Sequence, residues 1–173
     1  MGNLNHQLPL ARTIVFGIVG LFTLISFGLS IHIVHLGNQG GFVPDWAGLA
    51  LATSIITLIA LPVLFIIPIK RRNALPSFIA FELAVLWLLW ILWLATGASI
   101  ASLFGLNYCN GGLCSEIRAL EAFSFLNWLL LMFYSFALLI LSVTAHQRGR
   151  TGVWKSSVSE FDWNNSKPAV VGV

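Results

Sequence analysis

The sequence predicts an all-α integral membrane protein, a four-helix bundle whose helices run up, down, up and down across the bilayer. Three observations predict it: four long apolar runs, short links between them, and a one-sided distribution of Lys and Arg. The chain has 173 residues, of which 58% are hydrophobic and only 9% charged, whereas soluble domains carry about 25% charged residues. A soluble fold of this length could not bury so much apolar surface, so lipid must be the solvent for most of the chain.

Each apolar run exceeds the roughly 20 residues that a spanning helix needs. In chain order the predicted spans are residues 13–34, 46–69, 77–104 and 119–145. Helices are predicted because an open sheet edge would leave backbone groups unpaired in hydrocarbon. The links cover residues 35–45, 70–76 and 105–118. Short links make consecutive helices antiparallel neighbours, so the spans are expected to form one bundle.

The basic residues predict the orientation of the spans. Eight of the nine fall on one side of the predicted membrane: Arg12, Lys70, Arg71, Arg72, Arg148, Arg150, Lys155 and Lys167. Only Arg118 falls on the other side, and the positive-inside rule then places both termini in the cytoplasm. The chain divides into a cytoplasmic N-terminus over 1–12, a four-span domain over 13–147 and a polar cytoplasmic tail over 148–173.

The two cysteines, Cys109 and Cys114, lie in the last link, on the side away from the cytoplasm. That space is oxidising, and Asn110, Gly111 and Gly112 between them can turn tightly, so a small disulfide ring is predicted. Two cysteines are too few for a structural metal site, and their spacing is not the CxxC of redox proteins. No catalytic, cofactor-binding or metal-binding residue is predicted anywhere in the chain.

Glu82 lies inside the third predicted span, and an acid within a span is a candidate functional residue. Two interpretations are open. Glu82 pairs with Arg12 or with the Lys70–Arg72 cluster near the cytoplasmic interface, or it carries a proton or cation. No continuous relay of further acids or histidines accompanies it in the sequence.

Small and polar residues recur along three spans and predict close helix packing, since they let backbones approach and hydrogen-bond across helices. They are Gly17, Gly20 and Gly28 in the first span, Gly48 and Ala52 in the second, and Ser124 and Asn127 in the fourth. This pattern suits packing within one bundle and also self-association.

Two aromatic groups complete the candidates. Trp87, Trp90 and Trp93 lie deep in the third span, whereas tryptophan usually prefers the interface; they are expected either to pack as bulk or to contact a flat lipid such as a sterol. In the tail, Trp154, Val158 and Phe161 predict either a short helix on the inner leaflet or a disordered segment with a partner motif.

Two stretches resemble the MARVEL-domain family, and in particular its small fungal members. They are KRRNALPSFIAFELAVLWLLWILWLATGA, over the second link and third span, and CNGGLCSEIRALEAFSFLNWLLL, which enters the fourth. The resemblance covers about residues 10–147, and the family has no strict catalytic motif. It implies membrane apposition, vesicle traffic or organisation of lipid microdomains without enzyme activity, in the plasma membrane or endomembrane vesicles of a eukaryotic cell.

The predicted function is therefore a non-enzymatic membrane organiser that acts through lipid contact and lateral association. Its expected partners are membrane lipids, sterol among them, and further copies of itself or other membrane proteins. Nucleic acid is not expected, because the basic residues are few and form no stripe with aromatics. The alternative is a small proton- or cation-coupled transporter or channel that uses Glu82.

Overall fold

The computed structural model describes residues 4–41, 43–70, 78–104, 112–158 and 161–164. Over these residues the chain forms four long α-helices and one short 3₁₀ helix. They are α1 (Leu4–Gln39), α2 (Asp45–Lys70), α3 (Ile79–Phe104), α4 (Gly112–Gln147) and the 3₁₀ helix Thr151–Lys155. The described residues contain no strand. All four α-helices are long and apolar enough to cross a membrane, which confirms the predicted all-helical class and the four predicted spans.

Two helices extend well beyond their apolar runs. The helix α1 begins at Leu4 rather than at residue 13, and α4 begins at Gly112 rather than at residue 119. Hydropathy marks only the part of a helix that suits hydrocarbon, whereas the backbone hydrogen bonds continue through the polar residues on either side. Pro9 lies within α1, and the Thr13 hydroxyl donates to its carbonyl oxygen at 2.9 Å.

The four helices surround one interior. The helix α1 packs against α2 and α4, and α3 packs against the same two helices. Gly97 of α3 permits a close approach to α4, because a Cβ atom at this position would lie 3.2 Å from the ring of Phe125. The largest fully buried side chains include Leu64, Leu86, Trp93 and Leu131, one or more from each of α2, α3 and α4.

A glycine turn ends α4 and reverses the chain. Gly149 has a positive φ of 81°, its N–H donates to the carbonyl of His146 at 2.9 Å, and the N–H of Arg150 donates to the carbonyl of Ala145 at 3.2 Å. These two bonds form a Schellman motif, in which glycine accepts the left-handed conformation at no steric cost. The chain after Arg150 therefore returns to the end of the bundle.

Residues 151–158 and 161–163, here called the C-terminal segment, pack against the bundle. Val153 and Val158 are fully buried, and Trp154 and Phe161 pack against the same core. The N–H of Ile79, at the start of α3, donates to the carbonyl of Ser156 at 3.0 Å. The apolar residues predicted to face the inner leaflet or a partner thus pack on the protein itself, and the helix here is a 3₁₀ helix.

Candidate functional site

A buried ion pair joins α1 to α3. The Nε atom of Arg12 lies 2.9 Å from Oε1 of Glu82, and the two side chains are only 7% and 2% exposed. The Nε–H is not aligned on a hydrogen-bond acceptor, so the contact is an ion pair held by charge. Of the partners predicted for Glu82, the structure brings Arg12 to it; the side chains of Lys70, Arg71 and Arg72 lie outside the described residues.

Two further groups complete this site, which we call the charged cluster: Arg12, Glu82, Tyr134 and the carbonyl of Leu64. The Tyr134 hydroxyl donates to Oε1 of Glu82 at 3.2 Å. The Nη2 of Arg12 donates to the Leu64 carbonyl oxygen at 2.6 Å. The helical donor for this carbonyl would be the N–H of residue 68, but residue 68 is proline and has none. Arg12 therefore satisfies an acceptor that α2 cannot satisfy, and the cluster joins all four helices.

Phe16 shields the charged cluster. Its ring lies 5.5 Å from the Arg12 guanidinium carbon, measured to the ring centroid, and 5.6 Å from the Tyr134 ring in an edge-to-face arrangement. Breaking a buried ion pair by removing one partner typically costs about 3–5 kcal/mol, because the remaining charge is left uncompensated. Chemically, the cluster is suited to holding helices in register, since each charged group already has its partner.

Hydroxyl groups line the middle of the bundle, and most donate within their own helix. The Thr23 and Ser124 hydroxyls each donate to the carbonyl four residues earlier at 2.7 Å. Between helices, the Thr53 and Thr96 hydroxyls lie 3.2 Å apart. Both polar atoms of the Asn127 amide are buried without a hydrogen-bond partner among the described residues. Ser124 and Asn127 are fully buried, in the interior position that their polarity predicted.

The three tryptophans of α3 separate into two groups. Trp93 is fully buried and its Nε1–H donates to the Thr57 hydroxyl at 3.1 Å, so of its two predicted roles it has that of packing, and lipid contact is wrong for this residue. Trp87 and Trp90 are partly buried, with ring centroids 5.6 Å apart. Lipid contact at these two residues stays a prediction. The tertiary hydrogen bond to Thr57 could not be foreseen, because it joins residues 36 positions apart.

Of the glycines predicted to pack helices, Gly17, Gly28 and Gly48 are exposed and Gly20 is half-buried. A Cβ atom at Gly17, Gly28 or Gly48 would meet nothing within 4 Å, and one at Gly20 would meet only Leu61, at 3.9 Å. Ala52 is exposed. Packing within one bundle is therefore wrong for Gly17, Gly28, Gly48 and Ala52. Self-association through them stays a prediction.

An apolar groove lies between α1 and α2, with a volume of about 460 Å³. It is bounded by residues from Thr13 to Leu24 of α1 and from Leu58 to Ile66 of α2. Gly17 and Gly20 both line it, and their missing side chains leave it open. This groove was not predicted; the glycine spacing in α1 was the signal from which it could have been found.

The other end of the bundle carries a second ion pair, which was also not predicted. The Nδ1 of His32 in α1 lies 2.7 Å from Oε2 of Glu116 in α4. Cys114 lies nearby in the chain, in the first turn of α4, but Cys109 lies outside the described residues, so the Cys109–Cys114 disulfide stays a prediction. No group of three or more metal-binding side chains occurs among the described residues.

No protein-family model, curated protein or solved structure matches this chain.

Proposed function

We propose that this protein is a non-enzymatic organiser of membrane, a MARVEL-like four-span protein that acts through lipid contact and lateral association. In this proposal the helices run up, down, up and down, both termini are cytoplasmic, and the protein resides in the plasma membrane or endomembrane vesicles of a eukaryotic cell. The eight-to-one distribution of basic residues supports the orientation. The resemblance of the third and fourth spans to small fungal members of that family supports the class.

One observation carries the proposal: polar groups are gathered inward, while the outward faces of all four helices are apolar. Glu82, on which a transport mechanism would depend, is 2% exposed and is held by Arg12 and Tyr134. By contrast, large apolar side chains on each helix are more than half exposed: Leu21, Ile59, Leu88 and Phe133. Such a surface has lipid and apolar protein as its natural contacts.

Small exposed residues support the lateral part of the proposal. Gly48 and Ala52 lie four positions apart on the exposed surface of α2, and a side chain at Gly48 would meet nothing within 4 Å. A small-xxx-small pair lets a second helix approach closely, and van der Waals packing then drives association in lipid. A second copy of this chain, or another membrane protein, is the proposed partner at this surface.

The test is lateral clustering of the full chain in lipid vesicles, measured by energy transfer between fluorescently labelled copies. We expect concentration-dependent clustering that Gly48→Leu with Ala52→Leu reduces severalfold. Ala137→Leu, which adds the same bulk as Ala52→Leu at an exposed position of α4, is the control and should cluster normally. Random distribution of the wild-type protein, with no change in lipid distribution, would refute the organiser.

A flux measurement in the same vesicles addresses the alternative function. On the organiser proposal, the wild-type protein carries no proton or cation flux above that of empty vesicles. A flux that Glu82→Gln abolishes, with folding and insertion unchanged, would instead establish the transporter.

A further inference from the structure

The groove between α1 and α2 has the length of one membrane leaflet. Along α1 it extends from Thr13 to Leu24, which at 1.5 Å per residue is about 16 Å. The hydrocarbon core of a bilayer is about 30 Å thick, so one leaflet contributes about 15 Å. Arg12, next to Thr13, belongs to the charged cluster, so the groove runs from that end of the bundle towards its middle.

The floor of the groove distinguishes between occupants. At Gly20 the side chain of Leu61 lies 3.9 Å from the position that a Cβ atom would take, whereas at Gly17 nothing lies within 4 Å of that position. The groove is therefore shallower at Gly20 than at Gly17. A flexible hydrocarbon chain can follow such an uneven floor, whereas a helix from a second copy is a rigid cylinder about 10–12 Å across.

The chemistry of the walls excludes water. Among the described residues that line the groove, Thr13 alone has a polar side chain, and its hydroxyl donates to the Pro9 carbonyl. Buried water needs about two to four polar partners, and apolar cavities stay dry. The ring of Phe16 and the side chains of Leu61 and Phe65 line the remaining wall, so an occupant meets aliphatic and aromatic surface along the whole groove.

We propose that this groove binds one acyl chain of a membrane phospholipid from the leaflet on the charged-cluster side. This inference rests on the proposed function, because it names the lipid contact of the organiser. Bulk lipid is as apolar as the groove, so binding depends on van der Waals contact with the walls rather than on removal of apolar surface from water. Gly17 and Gly20 are the residues that make this contact possible, since any larger side chain there occupies the groove.

The test uses the full chain in vesicles that contain a phosphatidylcholine with a photoreactive diazirine in one acyl chain. After illumination, mass spectrometry maps the labelled residues. We expect labelling concentrated on the peptides that carry Phe16 and Phe65, and about tenfold less in Gly17→Leu. Gly28→Leu is the matched control, because Gly28 also belongs to α1 and has no neighbour within 4 Å of its Cβ position but does not line the groove.

Three results would overturn the acyl-chain site. The first is equal labelling of the Gly17→Leu and Gly28→Leu proteins. The second is groove labelling by a diazirine sterol and not by the phosphatidylcholine, which would assign the site to sterol. The third is cross-linking between copies, in a separate experiment with a photoreactive amino acid in place of Phe65, which would assign the site to protein. If Gly17→Leu does not fold, the labelling map of the wild-type protein tests the site by itself: labelling that is not concentrated on the peptides with Phe16 and Phe65 would refute it.

The clustering measurement separates this inference from the proposed function. Normal clustering without groove labelling would refute the acyl-chain site and would not affect the proposed organiser function. Groove labelling in a protein that neither clusters nor changes lipid distribution would support the acyl-chain site and refute the proposed organiser function.

Discussion

Within the described parts of the chain, two ion pairs join α1 to the rest of the bundle, and they differ in burial far more than in length. Arg12 and Glu82 lie 2.9 Å apart with side chains 7% and 2% exposed, whereas His32 and Glu116 lie 2.7 Å apart with side chains 53% and 34% exposed. Arg12 and His32 are 20 residues apart in one helix, about 30 Å, which equals the hydrocarbon thickness of a bilayer. The proposed membrane orientation therefore places the two pairs near opposite margins of the hydrocarbon core.

The distance between the charged atoms therefore does not by itself show how much an ion pair contributes to stability. The exposed pair is worth about 0–1 kcal/mol, because solvent and salt screen it, and His32 carries charge only when protonated. The buried pair is shielded from water. Removing either of its partners therefore leaves an uncompensated charge, which costs far more free energy than the loss of the exposed pair. Of the two ion pairs, the charged cluster therefore contributes more to holding α1 in place, while the His32 end is also held by the buried side chain of Ile33.

The largest expected effect comes from separating the partners of the buried pair. Glu82→Leu should lower the free energy of unfolding by about 3–5 kcal/mol, because Arg12 is left as an uncompensated buried charge. The double variant Arg12→Leu with Glu82→Leu should recover much of that loss. Unfolding of the single and double variants in mixed micelles, compared as a double-mutant cycle, provides the measurement. Additive losses from the two single substitutions would show that the charges are not coupled.

A smaller effect is expected at Tyr134. Its hydroxyl donates to a charged carboxylate, and a hydrogen bond to a charged group contributes about 1.5–3 kcal/mol. Tyr134→Phe should therefore lower the free energy of unfolding by that amount while the ring contact with Phe16 is kept. In the Glu82→Leu background the same substitution should have almost no effect. An equal loss in both backgrounds would place the contribution of Tyr134 outside the charged cluster.

The smallest effect is expected at the exposed pair. His32→Gln should change the free energy of unfolding by less than about 1 kcal/mol, and any change should fall further at 1 M salt, where the Debye length is about 3 Å. Equilibrium unfolding at low and high salt is the measurement, with Glu82→Leu as the salt-insensitive comparison. A loss as large as that of Glu82→Leu would mean that exposure does not weaken the His32–Glu116 pair.

The candidate site was only partly predictable. Glu82 stood out because acids are rare in spans, but its partner had to be chosen among Arg12 and the Lys70–Arg72 cluster, and only the packing of α1 on α3 makes that choice. The inward position of Ser124 and Asn127 followed from their polarity, since hydrocarbon offers them no hydrogen bonds. Gly17 and Gly48 have no polar side chain that would favour the interior or the surface, so their exposed positions were not predicted.

The sequence by itself determined that four long helices form and where their apolar parts lie, because hydrophobic run length and the need to pair every backbone group in hydrocarbon leave no other structure. Only the tertiary structure decided which faces turn inward. The helices α2 and α3 are apolar nearly all round, so no amphipathic stripe orients them. The charged cluster and the α1–α2 groove arise between residues far apart in the chain, such as Arg12 and Leu64, and contacts of that kind exist only once the helices have packed.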